Sequence, residues 1–327
     1  MKNKITNLEI LKKAAKKFGY SHGLADSPYS KAIYVTDGES YFISRSKTKY
    51  GMYPTNNKFA DHLVDDKAVT KRFLKKFGFR VIRGKAFFLK KPLEDAGPIK
   101  SSDNVRAAYS YAKKISYPVF VKPNSGSRGK NARIIFNESG FKKHVATMKK
   151  DGVISFLVEK FTERPEYRLF VVGGKVEFIY RKQRMTITGT GKHTIQELLQ
   201  LHEAEPDEKF IKGMLKKEKK TLKTVLDEKY EIALQETSNI SLGAMITDYR
   251  EKVPREVDRW ANRLYRTMGL GVFGVDVFAK GDWDEPAKYL IIEINSSPAL
   301  AGIYSKGHRE KVFKIWRKIM KKYFLSR

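Results

Sequence analysis

The first residues that could do chemistry lie in KPNSGSRGKNARI, which runs from Lys122 to Ile134 and directly follows a predicted strand. Gly126 and Gly129 allow tight backbone turns, and the amides that such turns expose can bind phosphate oxygens. Lys122 adds positive charge at the strand end. Further donors come from the side chains of Ser125, Ser127, Arg128 and Lys130. The spacing fits neither a Walker A motif nor a dinucleotide fingerprint. Taken alone, a loop of this composition is more often a plain connection between strands than a phosphate-binding loop.

Carboxylates inside apolar strands form the second group. Asp276 lies within GVFGVDVF, and Glu293 lies within YLIIEIN, two residues before Asn295. Burying a carboxylate is costly unless it is paired or binds a metal. Glu293 and Asn295 project to one face of a strand, and three oxygen ligands converge if the strand of Asp276 pairs with theirs. Such ligands suit Mg²⁺, whereas the ordinary alternative is a set of salt bridges to Arg or Lys. The residues alone do not distinguish a metal site from a set of salt bridges.

The third group lies in LVEKFTERPEYRLFVV, where Glu159, Lys160 and Phe161 come at a strand end and Glu166 follows. Backbone groups at such an edge can bind the edge of an adenine ring, and a nearby acid can accept hydrogen bonds from ribose hydroxyls. By itself this pattern is weak, because Glu166 could equally pair with Arg168.

Composition limits the classes of protein to consider. The 327 residues predict about two domains, and 41% hydrophobic content excludes a disordered chain. The absence of cysteine excludes disulfides, thiolate zinc sites and a cysteine nucleophile. The mean hydropathy of −0.51, without a long uncharged apolar run, excludes a membrane span. The N-terminal sequence has no continuous apolar region typical of a signal peptide, so we expect a cytoplasmic protein.

A net charge of +30 attracts polyanions in general, including nucleic acid and nucleotide phosphates. Solvated lysines on helix faces are the more ordinary explanation. Much of the excess lies in residues 209–223 and 306–327, which both have helical periodicity. The second segment has an apolar stripe, which predicts a helix docked on the rest of the protein. The residues of this stripe are Val312, Phe313, Ile315, Trp316, Ile319, Met320 and Tyr323.

The elements that would position these groups are a mixture of helices and strands. Helical periodicity appears at 5–18, 63–77, 103–115, 139–150, 194–203, 209–226, 255–268 and 307–323. Strand-like runs fall at 119–122, 132–136, 154–159, 168–172, 176–181, 272–278 and 289–294. Gly173-Gly174 predicts a hairpin turn, while Pro254 and Gly269 suit the first position and the stop of a helix. Hairpins separated by helices favour an α+β fold.

Together these segments resemble the ATP-grasp ligases, and most closely the ATP-grasp portion of cyanophycin synthetases and bifunctional glutathione synthetases. The resemblance runs from about Asp66 to about Leu300. It rests on DDKAVTKRFLKKFGFRVIRG, YPVFVKPNSGSRGK, LVEKFTERPEYRLFVVGGKV, RMTITGTGKHTIQELL, TSNISLGAMITD, GLGVFGVDVF and IIEINSSPAL, in family order. It implies an ATP-grasp fold of two α+β subdomains that clamp ATP. The expected division is a small substrate-facing N-terminal domain at 1–62, a lid subdomain at 63–157 and a metal-binding subdomain at 158–327.

The resemblance also implies roles for individual residues. Lys67 and Lys122 would contact ATP phosphates beneath a lid at 126–129, and Glu166 would bind the ribose. Adenine would lie against Glu159, Lys160 and Phe161. Two Mg²⁺ ions, for which Mn²⁺ is an alternative, would be held by Asp276, Glu293 and Asn295. Either Arg181 or Arg184 would face the transferred phosphate, and Asn239 and Ser241 match a segment that lines the same cleft.

The expected activity is an ADP-forming carboxylate–amine ligase that works through an acyl phosphate on amino acids or peptides, with acidic ones favoured by the positive charge. Related ligases are often oligomers, and neither a membrane nor nucleic acid is an expected partner. The chain has Gly189-Thr190-Gly191 where related enzymes usually have Gly-Asp-Gly, and its 201–237 segment is short, so substrate choice is open. The alternatives are a non-catalytic ATP- or peptide-binding module and a basic nucleic-acid-binding protein.

Overall fold

The computed structural model describes residues 5–25, 32–45, 52–89, 105–126, 129–201, 208–234, 238, 240, 244–281 and 283–326. The helices are α1 (Asn7–Lys17), α2 (Lys58–Asp65), α3 (Lys67–Lys76), α4 (Val105–Ile115), α5 (Glu138–Lys150), α6 (Ile195–Gln200), α7 (Glu208–Lys217), α8 (Arg255–Met268), α9 (Ala301–Ser305) and α10 (Arg309–Leu325). No helix within these residues has the length and apolar composition needed to cross a bilayer.

The strands form antiparallel sheets. Their bounds are β1 (Ser21–Leu24), β2 (Ala32–Thr36), β3 (Tyr41–Arg45), β4 (Gly84–Phe88), β5 (Val119–Pro123), β6 (Arg133–Ile135), β7 (Ser155–Lys160), β8 (Glu166–Val172), β9 (Lys175–Gln183), β10 (Thr186–Thr188), β11 (Glu231–Ala233), β12 (Met245–Arg250), β13 (Val272–Phe278) and β14 (Leu290–Asn295). The sheet orders are β1-β2-β3, β10-β11, β12-β9-β8-β13-β14 and β4-β7-β5-β6.

The five-stranded sheet has two unlike faces, because successive side chains along a strand point to opposite sides. One face, which includes Leu169, Val275 and Val277, is apolar and packs under α8. The other face is apolar only at one end, where Phe170 and Phe178 join a second core. At its other end the same face carries charged side chains. This change along the strands leaves a polar surface beside a rigid core.

The N-terminal elements α1, β2 and β3 pack onto the apolar end of that second face. Apolar residues of α1, β2 and β3 share one core with α9, α10 and the five-stranded sheet. The Asn7 side chain accepts hydrogen bonds from the backbone N–H groups of Leu300 and Ala301, at 2.9 and 3.1 Å. The Tyr53 hydroxyl donates to the carbonyl of Pro298 at 2.6 Å. These bonds fix the chain that follows β14.

The four-stranded sheet has a core of its own. Alternate residues of β5 and β7, such as Val121, Phe156 and Val158, pack with α4 and α5. The opposite face carries Lys122 and Glu159, since these alternate with the core residues along their strands. The division at residues 62 and 158 stays a prediction. The core of β4–β7 is separate, whereas the N-terminal elements share theirs with α10.

Most predicted elements are present, with three differences. The helix predicted at 63–77 is two helices, because Asp66 has extended backbone and its side chain caps α3 by accepting from the N–H of Val69. The helix predicted at 209–226 ends at Lys217. Pro254 is the N-cap of α8, one position before the predicted one, whereas Gly269 ends that helix at φ 68° as predicted. The Gly173-Gly174 hairpin is confirmed by pairing of Val172 with Lys175.

The stripe on α10 makes that helix the centre of the shared core. Trp316 is 1% exposed and lies with its ring centroid 5.3 Å from that of Tyr53. We expect Trp316→Ala to lower the free energy of unfolding by about 3–5 kcal/mol, because a large cavity would open between three packed layers. Urea unfolding followed by far-ultraviolet circular dichroism measures it. Leu325→Ala on the same helix, where the side chain is exposed, should change it by less than about 0.5 kcal/mol.

Candidate functional site

The register of the five-stranded sheet collects charged side chains into one row. Arg168 of β8 lies opposite Asp276 of β13, and Asp276 lies opposite Glu293 of β14. Gly274, one step along the same face, lies opposite Asn295. The predicted pairing of the two acid-bearing strands is therefore present, and it brings the two carboxylates and the amide to one end of one sheet face.

Asp276 is almost fully buried, at 1% exposure, and is held by two cations. Arg168 donates to both carboxylate oxygens, through Nε and Nη2 at 2.6 Å each, and Lys182 Nζ lies 3.1 Å from Oδ2. Although burial alone would lower the pKa of Lys182, the charges of Asp276 and Glu166 outweigh it and raise that pKa. Burial likewise opposes the charge of Arg168, yet Asp276 raises the pKa of its guanidinium. Both cations therefore stay charged.

Glu293 lies in a strongly positive field. Burial would raise its pKa, but Lys67, Lys122, Lys182 and Arg168 together lower it to about 2. Its Oε1 accepts a hydrogen bond from Asn295 Nδ2 at 3.3 Å. Lys122 belongs to the four-stranded sheet, and Lys67 of α3 is bonded to the loop that follows it. The charged faces of the two sheets are therefore close enough to interact, and the region between them is called the cleft.

On the other side of the cleft, one buried carboxylate lies between two lysines. Glu159 of β7 forms ion pairs with Lys71 of α3 and with Lys122 of β5, whose Nζ lies 3.1 Å from Glu159 Oε2. All three side chains are less than 10% exposed. Burial would raise the pKa of Glu159, but the two lysines lower it on balance. Burial lowers the pKa of Lys71 to about 8, even with Glu159 beside it.

The glycine-containing loop is fixed to the start of α3. The Asn124 side chain accepts from the backbone N–H of Ala68 at 2.9 Å, and Lys67 Nζ donates to the carbonyl of Gly126 at 2.9 Å. Gly126 and Gly129 have φ of 126° and 67°, which side chains with a Cβ rarely adopt. Ser125 is exposed. Of the other residues expected in this loop, Ser127 and Arg128 lie outside the described residues.

The expected adenine and ribose residues lie at the ends of β7 and β8. Lys160 is exposed, with its backbone N–H bonded to the carbonyl of Arg83 at 2.9 Å, and Phe161 is half-buried. The Glu166 carboxylate accepts hydrogen bonds from Lys182 and from the hydroxyl of Ser238. Glu166 therefore contacts Lys182, while Arg168, its alternative partner in the sequence, binds Asp276.

The two arginines expected near the transferred phosphate are not in the charged row. Arg181 and Arg184 are exposed, whereas Lys182 between them points to Asp276 and Glu166. Lys182 shares the face of Tyr180 and Phe178, and this alternation along β9 could have identified it. Sequence reasoning also missed Lys71, for which helical spacing from Lys67 was the available signal. Asn239 and Ser241 lie outside the described residues.

The donor set can hold a hard divalent cation. Carboxylate and amide oxygens are ligands that Mg²⁺ accepts, and this ion usually takes one or two carboxylates together with substrate phosphates. No group of three or more His, Asp or Glu side chains suited to a metal occurs within the described part of the chain. Asp276 is engaged by Arg168 and Lys182, so Glu293 and Asn295 are the more accessible donors. The arrangement can neutralise and orient a polyanion.

The chain is similar to several known proteins. Residues 66–172 match the family model described as the ATP-binding domain of the carbamoyl-phosphate synthase L chain. Cyanophycin synthetase of Crocosphaera subtropica is 26% identical over 258 residues, which are 73% of this chain and 28% of that protein. The glutathione biosynthesis bifunctional protein GshAB of Enterococcus faecalis is 25% identical over 298 residues, which cover 82% of this chain and 37% of that protein.

Among solved structures, a bifunctional glutathione synthetase from Pasteurella multocida superposes with a TM-score of 0.59 at 18% identity, covering 98% of this chain and 43% of that one. The expected ATP-grasp fold is thereby confirmed. The chain spans about a third of the length of the curated relatives it matches.

Removing one partner of the buried Arg168–Asp276 ion pair tests how much the pair contributes to stability. We expect Arg168→Met to lower the free energy of unfolding by about 3–5 kcal/mol, because the Asp276 carboxylate would stay buried with only Lys182 beside it. Urea unfolding without nucleotide or metal measures the change, and adding Asp276→Asn should recover much of it. Arg259→Met, which breaks an exposed pair with Glu256, should change it by less than about 1 kcal/mol. Equal losses in Arg168→Met and Arg259→Met would contradict this.

Proposed function

We propose that this chain is an ATP-dependent, ADP-forming ligase that joins a carboxylate to an amine. The observation that carries the proposal is the convergence, at one cleft, of four cations around the two carboxylates of the five-stranded sheet, Asp276 and Glu293. The ATP-grasp fold and the matched family model support the use of ATP. Matched relatives are named as a cyanophycin synthetase and a glutathione biosynthesis protein, which supports amide formation.

The reaction has two steps. A substrate carboxylate oxygen attacks the γ-phosphorus of ATP, the bond from that phosphorus to the bridging β–γ oxygen breaks, and ADP leaves. The amine nitrogen then attacks the acyl carbon of the acyl phosphate, inorganic phosphate leaves, and the nitrogen loses a proton. Little covalent chemistry is required of the protein, so positioning and electrostatic stabilisation dominate.

The lysines of the cleft would carry the electrostatic part. Lys67, Lys122 and Lys182 already share the negative field of Glu293. In the proposed complex, Lys67 and Lys122 bind ATP phosphates, and Lys182 stabilises the charge of the transferred phosphoryl group, a role expected from the sequence for Arg181 or Arg184. Fixed charges of this kind act strongly because the site excludes most water.

A divalent metal would complete the phosphate site. Glu293, Asn295 and Asp276 are the residues that would hold Mg²⁺, or Mn²⁺ in its place. When bound, the metal supplies positive charge that neutralises the phosphate oxygens and polarises them. Two ions are the number that the family resemblance implies.

The remaining contacts and the protein's setting extend the same proposal. The backbone of residues 159–161 would bind adenine, Glu166 the ribose, and the loop around Ser125 to Gly129, including Ser127, would close over the phosphates to keep water from the acyl phosphate. The substrates would be amino acids or peptides, with acidic ones favoured by the net charge of +30. A homo-oligomer in the cytoplasm is part of this proposal.

Carboxylate-dependent turnover tests the activity. With ATP, Mg²⁺ and panels of amino acids and short acidic peptides, we expect phosphate release, and hydroxylamine should trap the acyl phosphate as a hydroxamate. Asp276→Asn and Glu293→Gln should each lower the rate by at least about a hundredfold, because a neutral amide would hold a hard divalent cation more weakly than the carboxylate it replaces. Glu256→Gln, which removes an exposed acid of α8, is the matched control and should leave the rate unchanged.

Two other outcomes would redirect the proposal. Nucleotide binding without ADP or hydroxamate across the panel would favour a binding module. Tight association with generic DNA or RNA that weakens steeply with salt, and no carboxylate-dependent turnover, would favour a nucleic-acid-binding protein.

Single substitutions on β9 test whether Lys182 or Arg181 faces the transferred phosphoryl group. Because the side chain of Lys182 points into the charged row and that of Arg181 is exposed, Lys182→Met should lower kcat by about a hundredfold or more. Arg181→Met should change kcat by less than about threefold. The measurement is steady-state ADP formation at saturating ATP. A large loss in Arg181→Met with a small one in Lys182→Met would reverse the assignment.

A further inference from the structure

Lys71 is a buried charged residue that the proposed mechanism does not use. It reaches from α3 to the Glu159 carboxylate, which Lys122 also contacts, and the three side chains are 9%, 1% and 7% exposed. One carboxylate neutralises only one ammonium group, so these three side chains by themselves carry an excess positive charge in a nearly dry site, against which the charge of Glu293 also acts. Such an excess is unfavourable unless a further anion joins it.

The contact between Lys122 and Glu159 creates a competition. If Lys122 binds a nucleotide phosphate, its single positive charge is shared between that phosphate and Glu159. A buried carboxylate that loses its cation is strongly destabilised. Without another cation, Glu159 would therefore hold Lys122 and weaken its bond to phosphate.

We propose that Lys71 is a positioning residue that neutralises Glu159 and so leaves Lys122 available to the phosphates of a bound nucleotide. This inference rests on the proposed function, because it takes Lys122 as a phosphate ligand. Lys71 acts through Glu159 and touches no part of the nucleotide. Its position on α3 favours this role, since the first residue of the same helix, Lys67, is bonded to the loop that follows Lys122.

The charged groups that face Lys71 come from three strands: Glu159 of β7, Lys122 of β5 and Glu293 of β14. Burial and the charge of Lys122 lower the pKa of Lys71, the attraction of Glu159 opposes them, and the resulting pKa is about 8. Lys71 is thus charged below this pH and loses its proton as the pH rises through it. Nucleotide affinity should fall over the same range.

The test is the dissociation constant of ADP with Mg²⁺, measured by isothermal titration calorimetry on the full chain. Lys71→Met should weaken binding by about tenfold or more, because Lys122 then stays paired with Glu159. Lys71→Arg, which keeps the charge, should remain within about threefold of the wild type and should lose the decrease in affinity between pH 7 and 9. Lys75→Met, at an exposed lysine of the same helix, is the matched control and should bind as the wild type does.

A double variant separates charge balance from a merely structural role. Adding Glu159→Gln to Lys71→Met removes the competing carboxylate, so ADP affinity should return to within about threefold of the wild type. Equal affinity of Lys71→Met and the wild type would overturn the inference alone, and so would equally weak binding by the single and double variants. Absence of ADP binding by the wild-type chain would contradict the proposed function, and this inference with it.

Discussion

The structure depends on one electrostatic constraint: every buried charge in the cleft must have a partner of opposite sign. Asp276 satisfies it through Arg168 and Lys182, and Glu159 through Lys71 and Lys122. Taking an unpaired ion out of water costs several kcal/mol, which is comparable to the stability of a whole domain. The ion pairs therefore act together, and a ligand that enters the cleft must replace one partner with another rather than simply add a contact.

The five-stranded sheet meets this constraint by separating its apolar and charged residues along the strands. Phe170 and Phe178 anchor one end of a face to α10 and the N-terminal elements, and Arg168 and Asp276 occupy the same face two residues further on. The packed end fixes the backbone, and the register then fixes where each charged side chain begins. An ion-pair network placed on a rigid sheet loses less conformational entropy on binding than one placed on loops.

The two sheets supply complementary parts of the cleft. The five-stranded sheet provides two carboxylates with their arginine and lysine, the four-stranded sheet provides Lys122, and α3 provides Lys67 and Lys71. Glu293 is affected by cations of both, which lower its pKa to about 2. Much of the net charge of +30 lies outside the cleft, for example on the exposed face of α10, whose opposite face packs in the core. In the proposed complex, the positive charge that meets the nucleotide is the small set in the cleft and not the large exposed one.

The sequence by itself determined most of the longer helices, seven of the fourteen described strands and the groups of residues. Period-two alternation placed Glu293 and Asn295 on one face, three- and four-residue steps identified the buried stripe of α10, and ordered motifs indicated the ATP-grasp fold. These signals are local, because each depends on neighbours a few residues away.

Only the tertiary structure decided which charges meet. The pairing of Arg168 with Asp276 joins residues 108 positions apart, and that of Lys71 with Glu159 joins residues 88 apart. The choice of Lys182 over Arg181 depends on which face of β9 is turned to the cleft. Strand register and packing set these distances, and a basic chain offers too many lysines for its sequence to show which ones become buried.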